Sequence, residues 1–194
     1  MINYAKVWQG LPRPLGGASG AAYLNKALPP LWAAAYPTKG GELLTVTQGG
    51  DAGEEGAVST MFDLQPKGSK VEDRVVAVWG LSRAEPANTR DTGRMAGFLG
   101  SVWSATYAGR DRGHFFAHTM GGGTDINLFP QLASVNRGGE WRRMERYAVE
   151  HPGTFCFIRP IYAGSSWTPS QLEYGLIKLP PVDAFGVWIN LFPN

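Results

Sequence analysis

Cysteine is all but missing from this chain. Cys156 stands alone, so no intramolecular disulfide can form and a cysteine-based zinc site is excluded. Neither sign of charge dominates: 18 basic residues face 16 acidic ones, for a net charge of +2. Bulk charge therefore gives no support to non-specific binding of a polyanion. Long apolar runs are also missing. The longest, Leu31 to Tyr36, is far too short to span a bilayer, so no membrane partner is expected. The opening Met-Ile-Asn-Tyr-Ala-Lys lacks the charged region and apolar run of a classical signal peptide, so synthesis in the cytoplasm is expected.

What is abundant is Gly (26) and Pro (14), about a fifth of the residues, which argues for turns and loops rather than a helical bundle. Hydrophobic residues reach 43%, enough for a real core in one domain of 194 residues. Residues 1–40, with Gly16-Gly17 and Pro29-Pro30, read as an irregular arm, and 41–194 as the main domain. Strands are expected at Glu42 to Thr47, Val58 to Leu64, Val75 to Leu81, Ser101 to Tyr107, Thr154 to Tyr162 and Gln171 to Leu179. Ala84 to Arg94 reads as a surface loop. Leu132 to Ala148 is the best helix candidate, interrupted at Gly138-Gly139 into two pieces or one bent helix. Strands, a central helix and further strands give an α+β class. Cys156, between Phe155 and Phe157, is expected in the core.

Chemistry concentrates between Arg110 and Glu145. A histidine, His114, ends a strand. A glycine-rich loop follows, with Asp125 and Asn127, and then a helix carrying Asn136 and Glu145 among the arginines 137, 142, 143 and 146. A neutral imidazole can accept a proton near neutral pH. An amide or carboxylate oxygen can ligate a hard divalent ion, and guanidinium forks match phosphate oxygens. That set suits hydrolysis of a phosphodiester. The glycines 121–123 lack the Lys-Ser/Thr of a phosphate loop, so no nucleotide cofactor is expected. His114 and His118 have the spacing of a helical zinc pair, but the stretch reads as strand and no acidic third ligand is evident.

Asp111-Arg112-Gly113-His114, then Asp125-Ile126-Asn127-Leu128-Phe129-Pro130-Gln131, then Asn136-Arg137-Gly138, Trp141 and Glu145 resemble the DNA/RNA non-specific endonucleases, which are ββα-metal (His-Me finger) nucleases. The match spans about residues 105–150, and four linked elements in order are far more specific than any one of them. The resemblance implies a ββα-metal core at about 101–150 within a mixed or antiparallel sheet. It implies Mg²⁺-dependent cleavage of DNA, with RNA as a further candidate, and Mn²⁺ able to substitute. His114 becomes the general base, Asn136 the metal ligand and Arg112 a phosphate contact or site organiser. Asn127 becomes a site-supporting asparagine, Glu145 the acidic residue that orients water at the ion, and Asp111 the residue that holds Arg112. More loosely, Met144-Glu145-Arg146-Tyr147 and Glu173-Tyr174-Gly175 resemble nuclease domains of bacterial polymorphic toxins. That likeness implies an antibacterial effector, an immunity protein as partner and export by a specialised secretion system.

The family places its acidic residue eight positions after the metal-binding asparagine, but Glu145 lies nine after Asn136. One added residue turns a helix by about 100°, so Glu145 faces the site only if the glycines absorb it. An arginine expected one turn later falls on Val149, leaving Arg146 or Arg142 to supply it. An upstream arginine could be Arg90 or Arg94. Each residue also has a plainer reading: Asn136 as a helix cap, Asn127 as a turn residue, Glu145 as a solvated partner of Arg142 or Arg146, and His151 as a helix-end histidine. A different class of function, a non-catalytic nucleic-acid- or protein-binding module retaining a relic finger, also remains open.

Overall fold

A computed structural model of the chain describes residues 2–12, 17–36, 41–69, 72–86, 89–124, 126–178 and 186–194. Its centre is an antiparallel sheet of six strands in the order β1-β2-β3-β6-β7-β8. These are β1 (Glu42–Gln48), β2 (Val58–Leu64), β3 (Arg74–Leu81), β6 (Phe155–Ile161), β7 (Gln171–Ile177) and β8 (Val187–Pro193). A separate antiparallel pair, β4 (Arg110–His114) and β5 (Leu128–Leu132), leads into two short helices, α5 (Ala133–Asn136) and α6 (Gly139–Glu150). The α+β class follows the sequence. No helix among the described residues is long and apolar enough to cross a membrane.

Both faces of the sheet are covered, and strand alternation explains how. On β6, Phe155 and Phe157 point into one core while Cys156 and Ile158 point into the other. The first core receives α1 (Tyr4–Gln9) and α2 (Gly17–Ala35), where Ala21, Leu24, Leu28 and Trp32 recur at helical spacing and are fully buried. The expected irregular arm is therefore two helices across the described part of residues 1–40. Pro29 and Pro30 lie inside α2; burial of that apolar stripe outweighs the missing N–H groups. Buried polar contacts fix the layer as well. Trp32 Nε1 donates to Tyr4 Oη at 3.1 Å, and Tyr4 donates to Glu173 at 2.6 Å.

The second core seats the finger. Trp141, Met144 and Ala148 of α6 lie against Phe116, Met120, Ile158, Tyr174 and Phe192. The side chain of Asn194 ties the finger to the sheet, accepting from Leu132 N at 2.9 Å and donating to Pro130 O at 3.0 Å.

Three stretches differ from the expected elements, and one of them is β8, where no strand was expected. Ser101 to Tyr107 is mostly helix α4 (Gly100–Thr106), preceded by α3 (Thr92–Gly97), so the strand before the histidine is Arg110–His114 alone. Only Trp103 of α4 is buried, so the alternating pattern there supplies no row of buried residues for even one face of a sheet. The segment after Asn127, not expected as a strand, is β5, pairing His114 with Leu128 and Arg110 with Leu132.

Candidate active site

Strand β4 delivers His114 to a cavity of about 300 Å³. Arg90 and Arg112 line it, as do His118 from the 3₁₀ turn His118–Met120, Asn136 and Arg137 after β5, and Arg142 and Glu145 from α6. Residues far apart in sequence thus converge: the strand end, the loop before α3 and the two helices after β5.

Gly113 is what lets the strand reach this position. A Cβ there would lie 2.5 Å from the Cβ of Gln131, which is fully buried against it. Directly after His114 the chain is stapled by Asn127. Its Oδ1 accepts from Phe116 N at 2.7 Å, and its Nδ2 donates to Phe116 O at 2.6 Å and to Gly123 O at 2.7 Å. With its amide fully committed to backbone and its side chain outside the cavity, Asn127 supports the histidine from behind. Asp125 lies outside the described residues.

His114 is 8% exposed, and its Nε2 is buried without a partner among the described residues. Burial, then the positive charge of Arg90, then His118 hold its pKa down at about 4. The ring is therefore neutral at pH 7 and free to accept a proton. His118 instead bonds Thr89 Oγ1 at 2.9 Å.

Asn136 closes α5 and caps nothing. The N-cap position of α6 belongs to Gly138. Its Nδ2 donates to Asp111 Oδ2 at 2.9 Å. An ionised carboxylate can only accept, so this bond sets which end of the amide faces Asp111 and leaves Oδ1 for another donor or a cation. Asp111 thus holds Asn136 and, through a two-pronged contact at 2.8 and 2.5 Å, Arg137; it does not hold Arg112. The Arg137 hydrogen bonds keep the Asp111 carboxyl below its ordinary range. Arg112 lies over the face of Trp103, 4.4 Å from the ring centroid, and donates to Phe98 O at 3.4 Å.

Glu145 faces the cavity despite its added residue. Gly139 has φ +61°, a left-handed conformation that breaks the helix between α5 and α6. The extra residue is spent in that break rather than in rotating α6. Glu145 is 5% exposed, accepts from Trp141 Nε1 at 2.9 Å and pairs with Arg142. Burial raises its pKa, and Arg142 and Trp141 oppose the rise.

Of the sequence candidates, His114, Arg112, Asn136 and Glu145 share the cavity and Asn127 does not. The two ambiguous arginines resolve to Arg90 and Arg142, which line it, while Arg94 and Arg146 do not. Arg90 carries no local signal, because only the tertiary fold brings its loop to β4. His151 ends α6 as expected, with Nδ1 2.9 Å from Tyr147 O.

A model of the DNA/RNA non-specific endonuclease family matches residues 73–176, just over half of the chain and including every cavity residue named above. The chain belongs to that family. A comparison with curated proteins found no match. Membership makes it a nucleic-acid endonuclease, and the matched span runs from β3 to β7, taking in β4, β5, α5, α6 and β6.

Proposed function

We propose that this endonuclease is metal-dependent and that its active centre is the His114 cavity. The observation that carries the reading is the buried, unpartnered Nε2 of His114 in a cavity walled by arginines. Buried polar atoms without partners are rare, and each invites a functional explanation.

In this reading His114 removes a proton from a water molecule. The water oxygen bonds to phosphorus, the bond from phosphorus to the 3′ oxygen breaks, that oxygen takes up a proton from solvent to become a 3′-hydroxyl, and the other product carries a 5′-phosphate. Arg90 and Arg112 hold the phosphate oxygens, and Arg142, kept in place by Glu145, adds a third cation. Glu145 also presents an acceptor to water in the cavity. Burial is the first cause of the low His114 pKa and the field of Arg90 the second; a bound phosphate offsets the second and so favours uptake of a proton by His114.

The donor set fits magnesium. Asn136 offers one oxygen, and among the described residues no group of three or more His, Cys, Asp or Glu side chains gathers to hold a metal. Mg²⁺ keeps several waters and needs few protein ligands, whereas zinc asks for more, and Mn²⁺ shares the preference for oxygen. When bound, the ion supplies charge stabilisation to the phosphoryl group and the departing oxygen. Four arginines line the cavity with Asn136, so the ion binds best together with a phosphate.

The substrate is DNA, with RNA accepted too. The likeness of Met144 to Tyr147 and of Glu173 to Gly175 to toxin nuclease domains supports an antibacterial effector, exported by a specialised system and countered by an immunity protein. Digestion of plasmid DNA and of RNA, with and without Mg²⁺, tests the chemistry. Cleavage that survives EDTA would remove the metal from the reading, and absence of cleavage would favour the binding-module alternative. Expression in a bacterial cytoplasm tests the effector role, which fails if an active protein leaves growth and DNA unharmed.

A further inference from the structure

The arginine-lined groove continues past the catalytic cavity. A second recess of about 400 Å³ is lined by Arg90, Thr92, Met95, Arg110, Arg112 and Asn136, among others. Arg90, Arg112 and Asn136 border both recesses, His114 only the inner one and Arg110 only the outer one. Positions 110, 112 and 114 alternate along β4 and so share one face of the strand.

Two residues of strand span about 6.7 Å, close to the separation of successive phosphates along a nucleic-acid strand. Arg110 is half-buried and held at one end, its Nη1 donating to Pro130 O at 3.3 Å. The carboxylate in this recess, Asp111, would repel a phosphate, but both its oxygens are taken up by Arg137 and Asn136. The outer recess therefore presents cations and a hydroxyl, with its one anion neutralised.

We propose that Arg110 binds the backbone phosphate next to the scissile one, so that the row Arg110, Arg112 and His114 reads two consecutive phosphates. The proposal rests on the endonuclease reading and adds a subsite to it. It makes a chain of at least two phosphates the preferred substrate over an isolated phosphodiester.

The test is binding of labelled single-stranded oligonucleotides carrying one to six phosphates, followed by fluorescence anisotropy on the His114→Ala protein, whose slowed turnover lets binding be read. Affinity should step up once a second phosphate is present. Adding Arg110→Ala should erase that step, weaken binding of the longer strands about ten-fold and lower the salt slope by about one. Arg110→Lys should keep the slope. Arg146→Ala, an exposed change on α6 outside both recesses, should leave the series as it is. An unchanged length series in Arg110→Ala overturns the proposal. So does an equal loss at every length, including one phosphate, with an unchanged melting temperature. If Arg110→Ala does not fold, Arg110→Gln carries the same comparison. A wild-type protein that cleaves nothing removes the endonuclease reading, while the length series still decides on Arg110.

Discussion

Asp111 accepts the Nδ2–H of Asn136 at 2.9 Å, and that single bond turns the asparagine oxygen away from Asp111. On the proposed function Asn136 ligates the metal, and a ligand whose orientation depends on a neighbour is sensitive to that neighbour. Asp111→Asn can donate as well as accept, so it no longer dictates the orientation of Asn136, and it loses the Arg137 pair. We expect Mg²⁺ affinity and cleavage to fall about 10- to 100-fold with the fold retained. Calorimetric titration with Mn²⁺ in the presence of a DNA oligonucleotide, on a His114→Ala background, reads the affinity directly. Asn136→Ala should lose metal binding altogether, and wild-type affinity in that variant would remove Asn136 from the site.

His114→Ala should lower turnover by about 10²–10⁴, the usual contribution of a general base. The pH profile separates this from a structural loss. With the His114 pKa near 4 in the free protein, kcat/KM should fall as pH drops through that value, and the limb should vanish in the alanine variant. Stability carries the same signature. The folded-state pKa lies below the ordinary 6.5, so the folded protein binds fewer protons than the unfolded chain between those values. The His114 contribution is complete above pH 6.5 and is lost as pH falls towards 4, by roughly 3 kcal/mol. Melting curves of wild type and His114→Ala across that window should diverge in this direction, and parallel curves would refute it.

The finger was legible because its chemistry is local: Arg112, Gly113 and His114 adjoin in sequence, and Asn136 and Glu145 follow at near-family spacing. Other parts depended on partners that no short window contains. Helix α2 carried its signal in Ala21, Leu24, Leu28 and Trp32, but Pro29-Pro30 and the glycines before it spoke against a helix. What decided was burial against Trp79 and Phe157 on distant strands. Ser101 to Tyr107 alternated like a strand, yet its one buried side chain, Trp103, serves as a platform for Arg112. Arg90 and Arg94 were indistinguishable because each sits in a polar stretch, and only the packing of that loop beside β4 separates them.

The Gly138-Gly139 break should be a tunable hinge for Glu145. Gly139 has φ +61° and no atom within 4 Å of a built Cβ, so Gly139→Ala meets backbone strain but no clash. A left-handed conformation costs a residue with a Cβ about 1–2 kcal/mol, or some 2–8 °C in melting temperature for a chain of this size. Gly139→Asn, which tolerates that conformation better, should lose less. If α6 relieves the strain by rewinding, Glu145 turns from the cavity and cleavage drops more than stability. Equal melting temperatures for wild type, alanine and asparagine would show that the break does not need glycine.

Asn127 gives the sharpest contrast between supporting a site and acting in it. Asn127→Ala strands the buried Phe116 N–H and C=O, as Asn127 is 4% exposed, while the Gly123 carbonyl it also releases is exposed and can turn to water. Leaving buried groups unpaired costs about 1–3 kcal/mol each, so a loss of at least about 2 kcal/mol is expected for the two Phe116 groups, on the order of 4–8 °C in melting temperature. Cleavage should fall with it, because the chain just after His114 is no longer stapled. Asn127→Asp is more telling. Its carboxylate still accepts from Phe116 N–H but faces two carbonyl oxygens, which favours the protonated form and raises the aspartate pKa in the fold. A raised folded-state pKa gives stability that is present below the unfolded value near 4 and is lost as pH rises through the folded one. The aspartate variant should therefore regain stability relative to wild type on acidification. Melting temperatures of wild type, Asn127→Ala and Asn127→Asp from pH 4 to 8 decide the matter. Unchanged stability in the alanine variant, with cleavage lost, would return Asn127 to the catalytic machinery.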